Sequence, residues 1–240
     1  MLRSHHRHLS QQRAPERQLV RGHNHITTVM KHYKSDSTVV AWDVVNEAWE
    51  NDGSKLRNSP FFAKLGAGFI DEAFVTARAA NLNVKLYYND FRANGMNVES
   101  ESIYQMVKGM VQRGTPIDGV GLQLHEGTPN PFPPVAEIAQ NMQRNADLGL
   151  EVLVSEIDAH VCDGMTLEQQ KTWYNDVIAA CIAQPKCTAI TFWGASDKYS
   201  WLSSFDETNC DGKSPRGCLW DSNWMKKPAY SGVMDALLGK

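Results

Sequence analysis

Two glutamates stand where apolar runs end, and their settings are alike. Val39-Val40-Ala41-Trp42-Asp43-Val44-Val45 is rich in β-branched residues and closes on Asn46-Glu47; Leu150-Glu151-Val152-Leu153-Val154-Ser155 closes on Glu156-Ile157-Asp158. A buried parallel strand that delivers polar groups at its carboxyl end reads this way. A pair of such carboxylates is what glycosidic-bond hydrolysis needs: an acid for the leaving oxygen and a second carboxylate across the anomeric carbon. At a separation of roughly 5 to 5.5 Å Glu156 could attack directly with retention, whereas about 6.5 to 9.5 Å would admit a water and give inversion. Strand periodicity puts Asp158 on the same side as Glu156. The competing reading is a pair of buried structural acids, each neutralised by Arg or Lys.

The surrounding pattern supplies the elements that would hold these groups. Ile26, Val29, Met30 and Tyr33 fall at helical spacing ahead of the first strand. Ser59-Pro60 opens a helix expected to run to about Ala80, with Pro60 suited to the first turn. A second strand, Val84 to Asp90, precedes a helix around Ser102 to Arg113, and a third, Gly119 to His125, precedes a helix that stops near Gly149. The strand ending at Glu156, a helix from Leu167 to Ala183, a strand from Thr188 to Gly194 and a last helix from Pro228 complete five strand-then-helix units. Such alternation predicts an α/β fold with a parallel sheet, and polar residues at several strand ends favour the TIM (β/α)8 barrel over a doubly wound sheet. No GxGxxG or GxxxxGK[ST] stretch follows a strand, which argues against a dinucleotide or P-loop site. Five units fall short of a closed barrel, so sheet edges and apolar surface are expected to stay open.

Composition narrows the partners. The 240 residues suit one domain, and a net charge of −3 offers no basic face for nucleic acid. No apolar run approaches the roughly 20 residues of a membrane span. Residues 1–18, with a His- and Arg-rich start, read as a poorly ordered leader and show no signal peptide. Of five cysteines, Cys181 and Cys187 bracket a short helix-to-strand turn and Cys210 and Cys218 bracket a Gly- and Pro-containing loop. Both pairs read as local disulfides, leaving Cys162 over; five free thiols is the alternative, and no spacing suggests a metal site.

Six stretches, in order, resemble the motifs of glycoside hydrolase family ten, the retaining endo-1,4-β-xylanases: Trp42 to Ala48, Tyr87 to Asp90, Gly119 to His125, Ser155 to Asp158, Thr191 to Trp201, and Lys227 to Tyr230. The resemblance covers about residues 19–240 and implies roles. Glu47 would be the acid/base and Glu156 the nucleophile; Asn46 would bond the sugar 2-hydroxyl. His125 would bond the nucleophile and Asp158 would orient that histidine, with Asn89 and Gln123 in the same polar network. Trp193 would lie beneath the sugar and Trp201 would guard the site. The family's disulfide matches Cys181 and Cys187. The resemblance also implies secretion, a monomer, xylan or xylo-oligosaccharide as partner, and neither cofactor nor metal.

The family pattern begins with three further strands. Here the first two and most of the third are missing: Leu19 to His23 resembles the start of the third strand and runs directly into the following helix, which points to a deletion join at Gly22 to Asn24 and to an incomplete barrel. The expected activity is endo-hydrolysis of internal β-1,4-xylosidic bonds by double displacement. Two other readings remain: an inactive or weakly xylan-binding fragment, and a related retaining β-glycosidase acting on cellulose or β-galactosides.

Overall fold

The computed structural model describes residues 21–127, 132–162, 164–204, 210 and 214–239. The expected leader, residues 1–18, lies outside them. The chain divides into two compact units, one holding the residues up to Asn89 together with Ser102–Gly119, the other holding Asp90–Glu101 and Val120–Lys240. Among the described residues no helix is long and apolar enough to cross a membrane.

In the first unit, residues 21–32 are helical (α1). Of the expected strand start at Leu19 to His23, residues 19–20 lie outside the described residues and residues 21–23 are helix, which corrects that part: they close their hydrogen bonds locally within the turns of α1. Strand β1 (Ala41–Asn46) pairs in parallel with β2 (Lys85–Asp90). Their register slips between Asp43 and Val45, where β1 carries one extra residue. The single helix expected from Pro60 to Ala80 is two, α2 (Pro60–Leu65) and α3 (Phe69–Ala80). Gly66 breaks it: its φ of 67° is left-handed, and its N–H closes the last turn on the Phe62 carbonyl. Ser59 caps α2 by accepting the Phe62 N–H, with Pro60 in the first turn. Helix α4 (Val98–Arg113) starts four residues earlier than expected, because Asn97 accepts the Ser100 N–H and Ser100 returns the bond. Ile70, Phe74 and Ala77 of α3, Leu86 and Tyr88 of β2, and Val107 and Met110 of α4 form the core of this unit.

In the second unit, β5 (Glu151–Ala159) hydrogen-bonds with β3 (Gly119–Leu122), β4 (His125–Glu126) and β6 (Cys187–Phe192). The expected third strand is thus divided at Leu124, whose φ is 59°. Helix α5 (Val135–Asp147) buries Ile138 and Met142. Helix α6 (Leu167–Ala183) has the expected limits, set at its start by a capping box in which Thr166 and Gln169 satisfy each other's backbone N–H groups. It packs on α7 (Pro228–Leu237) at Gly232, where a β-carbon would come within 2.3 Å of the Lys171 carbonyl. Strand β6 leaves Thr188, Ala189 and Thr191 exposed.

The cysteines only half follow expectation. Cys181 and Cys187 are joined, with Cα atoms 5.3 Å apart. Cys210 pairs with Cys162, not with Cys218, across 48 residues of sequence. Cys218 is held elsewhere by its backbone: its N–H donates to Asp197 at 2.8 Å and its carbonyl accepts from the Lys227 ammonium at 2.6 Å. Its thiol is buried and free, and burial pushes it up to about 11.

Candidate active site

The first unit presents Asn46, Glu47 and Asn89 together. Because β1 and β2 run in parallel with Asn46 opposite Asn89, the Asn89 amide donates to Asn46 Oδ1 at 3.0 Å. One residue on, the Glu47 N–H donates to the Asn89 carbonyl at 2.9 Å, and the Ala48 N–H donates to the Tyr88 hydroxyl at 3.1 Å. Glu47 is thus tied by its backbone on both sides, and its φ is 53°. A non-glycine residue in that region is strained and is held there by its surroundings. Arg57 anchors the turn that follows, donating Nε to the Trp49 carbonyl at 2.5 Å and Nη2 to Asn51 at 2.6 Å. A cavity of about 290 Å³ lies against Asn46, Glu47, Arg57, Phe61 and Phe69.

The second unit brings five of the predicted residues together: His125, Glu156, Asp158, Trp193 and Trp201. The kink at Leu124 rotates the chain so that His125 pairs with Asp158 across β4 and β5, and the Asp158 N–H reaches the Leu124 carbonyl at 3.2 Å. The kink is itself fixed by Asn94, which accepts the Leu124 N–H at 3.3 Å and donates to the buried Glu126 at 2.8 Å. Between Val154 and Ile157 strand β5 carries one residue more than β6, a bulge that contains Glu156 and re-aims its side chain. His125 Nδ1 then lies 2.9 Å from Asp158 Oδ1 and its Nε2 lies 3.2 Å from Glu156 Oε2. Trp201 Nε1 donates to the other oxygen of Asp158 at 2.6 Å. The His125 ring sits edge-on to Trp193 at 6.0 Å and to Trp201 at 5.2 Å between centroids. Trp193 remains 46% exposed, so its ring offers an open apolar surface.

This chain of contacts sets the charge on His125. Burial alone would lower its affinity for a proton, but hydrogen bonds to Asp158 and Glu156 and the charges of both outweigh burial and raise it to about 9. At neutral pH the ring is an imidazolium with both N–H groups committed, one to each carboxylate. Glu126, next along the chain and fully buried, is also pushed up, well above the usual carboxylate range, because burial outweighs the bond from Asn94.

Gln123 is buried and its backbone N–H bonds the Asp90 carbonyl at 3.1 Å. Residues that motif reading left without a role also hold the site. Tyr88 steadies the chain after Glu47, Asn94 fixes the kink before His125, and Lys227 forms a buried pair with Asp197 at 3.1 Å beneath the loop that carries Trp201. Burial raises the Asp197 carboxyl and lowers the Lys227 ammonium, while their mutual attraction opposes both shifts. The Lys227-Pro228-Ala229-Tyr230 stretch was the available signal for this clamp, but its partner stands 30 residues earlier. His160, Cys162 and Cys210 also gather potential metal-binding atoms within 4.8 Å of one another, although the two sulfurs are joined in a disulfide.

A parallel α/β architecture with carboxylates, a histidine and indole rings at or near its strand ends is an arrangement suited to carbohydrate chemistry. The comparisons make this specific: residues 6–236 match the family described as glycosyl hydrolase family 10, and the chain belongs to it. An endo-1,4-β-xylanase of Agaricus bisporus is 40% identical over 215 residues, covering 88% of this chain and 61% of its own length. The solved structure of native xylanase 10C from Cellvibrio japonicus is similar with a TM-score of 0.87 at 35% identity, covering 94% of this chain and 52% of that one. Native xylanase 10B from Thermotoga maritima gives 0.85 at 31%, covering 93% and 67%. The chain thus spans between about half and two thirds of the length of these three proteins.

Proposed function

We propose that this chain hydrolyses internal β-1,4-xylosidic bonds of xylan with retention of anomeric configuration, as the catalytic region 19–240 of a secreted protein. Glu156 is the nucleophile and Glu47 the acid that protonates the leaving oxygen and then activates water. The observation that carries the reading is the bond from His125 to Glu156, backed by Asp158. An imidazolium donating to Glu156 fixes the direction of that carboxylate, as in-line attack on an anomeric carbon requires. Asn46 takes the 2-hydroxyl of the sugar, a contact that strengthens as positive charge grows on the anomeric carbon. Trp193 supplies the exposed ring beneath the sugar. The xylanase names of the relatives, and a structure of mutant Cellvibrio japonicus xylanase 10C in complex with xylopentaose, favour xylan over cellulose or galactosides. The two disulfides support an oxidising, extracellular destination.

The test is reducing-sugar release from xylan by the folded protein, with cellulose and aryl galactosides in parallel. Short xylo-oligosaccharides are expected, with loss of release in Glu156→Ala and recovery as an α-configured glycosyl azide when azide is supplied. Soluble, folded protein without turnover refutes the enzyme. The chain's coverage of only 61% and 51% of two relatives supports a second reading, a xylan-binding remnant, which retention on insoluble xylan without product would establish.

A further inference from the structure

Asp158 sits at a branch of the hydrogen-bond chain. It is 1% exposed, so water cannot replace a lost partner without opening the fold. One oxygen faces the His125 ring at 2.9 Å and the other takes the Trp201 indole N–H at 2.6 Å. A carboxylate torsion is broad and nearly two-fold, so His125 alone does not fix the plane of the group; a donor on each oxygen does.

Trp201 is well placed for this. Its loop begins at Asp197, which accepts the Cys218 N–H at 2.8 Å and pairs with Lys227 at 3.1 Å, both below the surface. The indole therefore comes from an anchored segment and meets His125 edge-on at 5.2 Å.

We propose that Trp201 is a positioning residue acting through Asp158: its N–H occupies Oδ2 and locks the carboxylate plane, so that His125 bonds Oδ1 only and keeps its second nitrogen directed at Glu156. This differs from a ring that only covers the sugar. Its consequence for turnover rests on Glu156 being the nucleophile, but the positioning itself does not. Among the described residues, the groups facing His125 include Glu156 and Asp158 from β5, Glu126 from its own strand, and the uncharged rings of Trp193 and Trp201.

The experiment is a pH titration of the ¹⁵N-labelled whole chain by NMR. In the unaltered protein the Trp201 indole proton is expected at low field and moves with the same midpoint as the His125 ring. Trp201→Phe keeps a ring and removes the donor, returning all of the Asp158 charge to His125; the His125 midpoint then rises by about half a unit or more. In Asp158→Asn the Trp201 indole proton moves to high field. With xylan as substrate, Trp201→Phe lowers kcat by about tenfold and leaves KM within about twofold, whereas a ring that only held sugar would raise KM. An indole proton indifferent to His125 ionisation, or an unchanged His125 midpoint in Trp201→Phe, overturns the proposal. If that variant does not fold, the titration of the unaltered protein decides. Absence of turnover in the unaltered chain refutes the xylanase reading and leaves the NMR result to judge this one.

Discussion

His125 links the proposed chemistry to stability in a measurable way. Its proton affinity is raised from 6.5 to about 9, so the folded state holds a proton that the unfolded chain releases at lower pH. The sign follows: the stabilisation is fully present below the unfolded value, declines as pH rises, and is gone above the folded value. A difference of this size corresponds to roughly 3 kcal/mol at about pH 6, falling to roughly 1 kcal/mol at about pH 8 and to almost nothing above the folded value. His125 is only 11% exposed and Asp158 only 1%, so solvent screening removes little of it. The perturbation that isolates the effect is His125→Gln, which keeps a donor and removes the titration. Urea denaturation from about pH 5.5 to about 9.5 should show the wild-type stability falling relative to the variant by roughly 3 kcal/mol, centred between the two proton affinities. A difference that stays flat across that range would refute the claim that His125 is charged between its two carboxylate partners.

Four further outcomes are expected. Lys227→Met leaves Asp197 buried without its cation and should lower stability by about 3 to 5 kcal/mol in denaturant titration, whereas the double change with Asp197→Leu should recover much of it. Replacing Cys181 and Cys187 by serine opens a short loop and should lower stability by about 2 kcal/mol, read as a lower melting temperature. Peptide mapping without reduction should recover a peptide linked through Cys162 and Cys210, with Cys218 titrating as a thiol only after denaturation; a linked Cys210–Cys218 peptide contradicts the fold described. Tyr88→Phe should cost about 1 to 3 kcal/mol by leaving the Ala48 N–H without its partner, measured by chemical denaturation.

Periodicity and punctuation carried most of the fold. Helix α6 was delimited correctly because its start is written locally, in Thr166 and Gln169, and no glycine interrupts it. The long helix expected from Pro60 failed at Gly66: its apolar spacing continues across the break, and the signal that marked the helix end was the Gly66-Ala67-Gly68 stretch itself. By contrast, β3 and β4 read as one strand because Leu124 carries no sequence mark of a left-handed turn, and its kink depends on Asn94, 30 residues earlier. The Cys162–Cys210 bond spans 48 residues, so local spacing favoured the wrong partner for Cys210. Of the site, the Glu156, His125 and Asp158 cluster was legible because strand ends and residue types agreed with the family motifs. The indole bond to Asp158 was not, because sequence gives the presence of a tryptophan and not the direction of its N–H.

The left-handed conformation at Glu47 has a thermodynamic consequence of its own. A glycine at position 47 would adopt that φ of 53° without the steric penalty a side chain carries there, of order 1 kcal/mol. If Glu47 is the acid, Glu47→Gly should therefore yield a protein that no longer turns over xylan and yet resists denaturation as well as or better than its parent. Position 47 would then be a place where selection for stability and selection for catalysis pull in opposite directions. A library of this chain screened for folding alone should drift towards glycine there, and one screened for xylan cleavage should not.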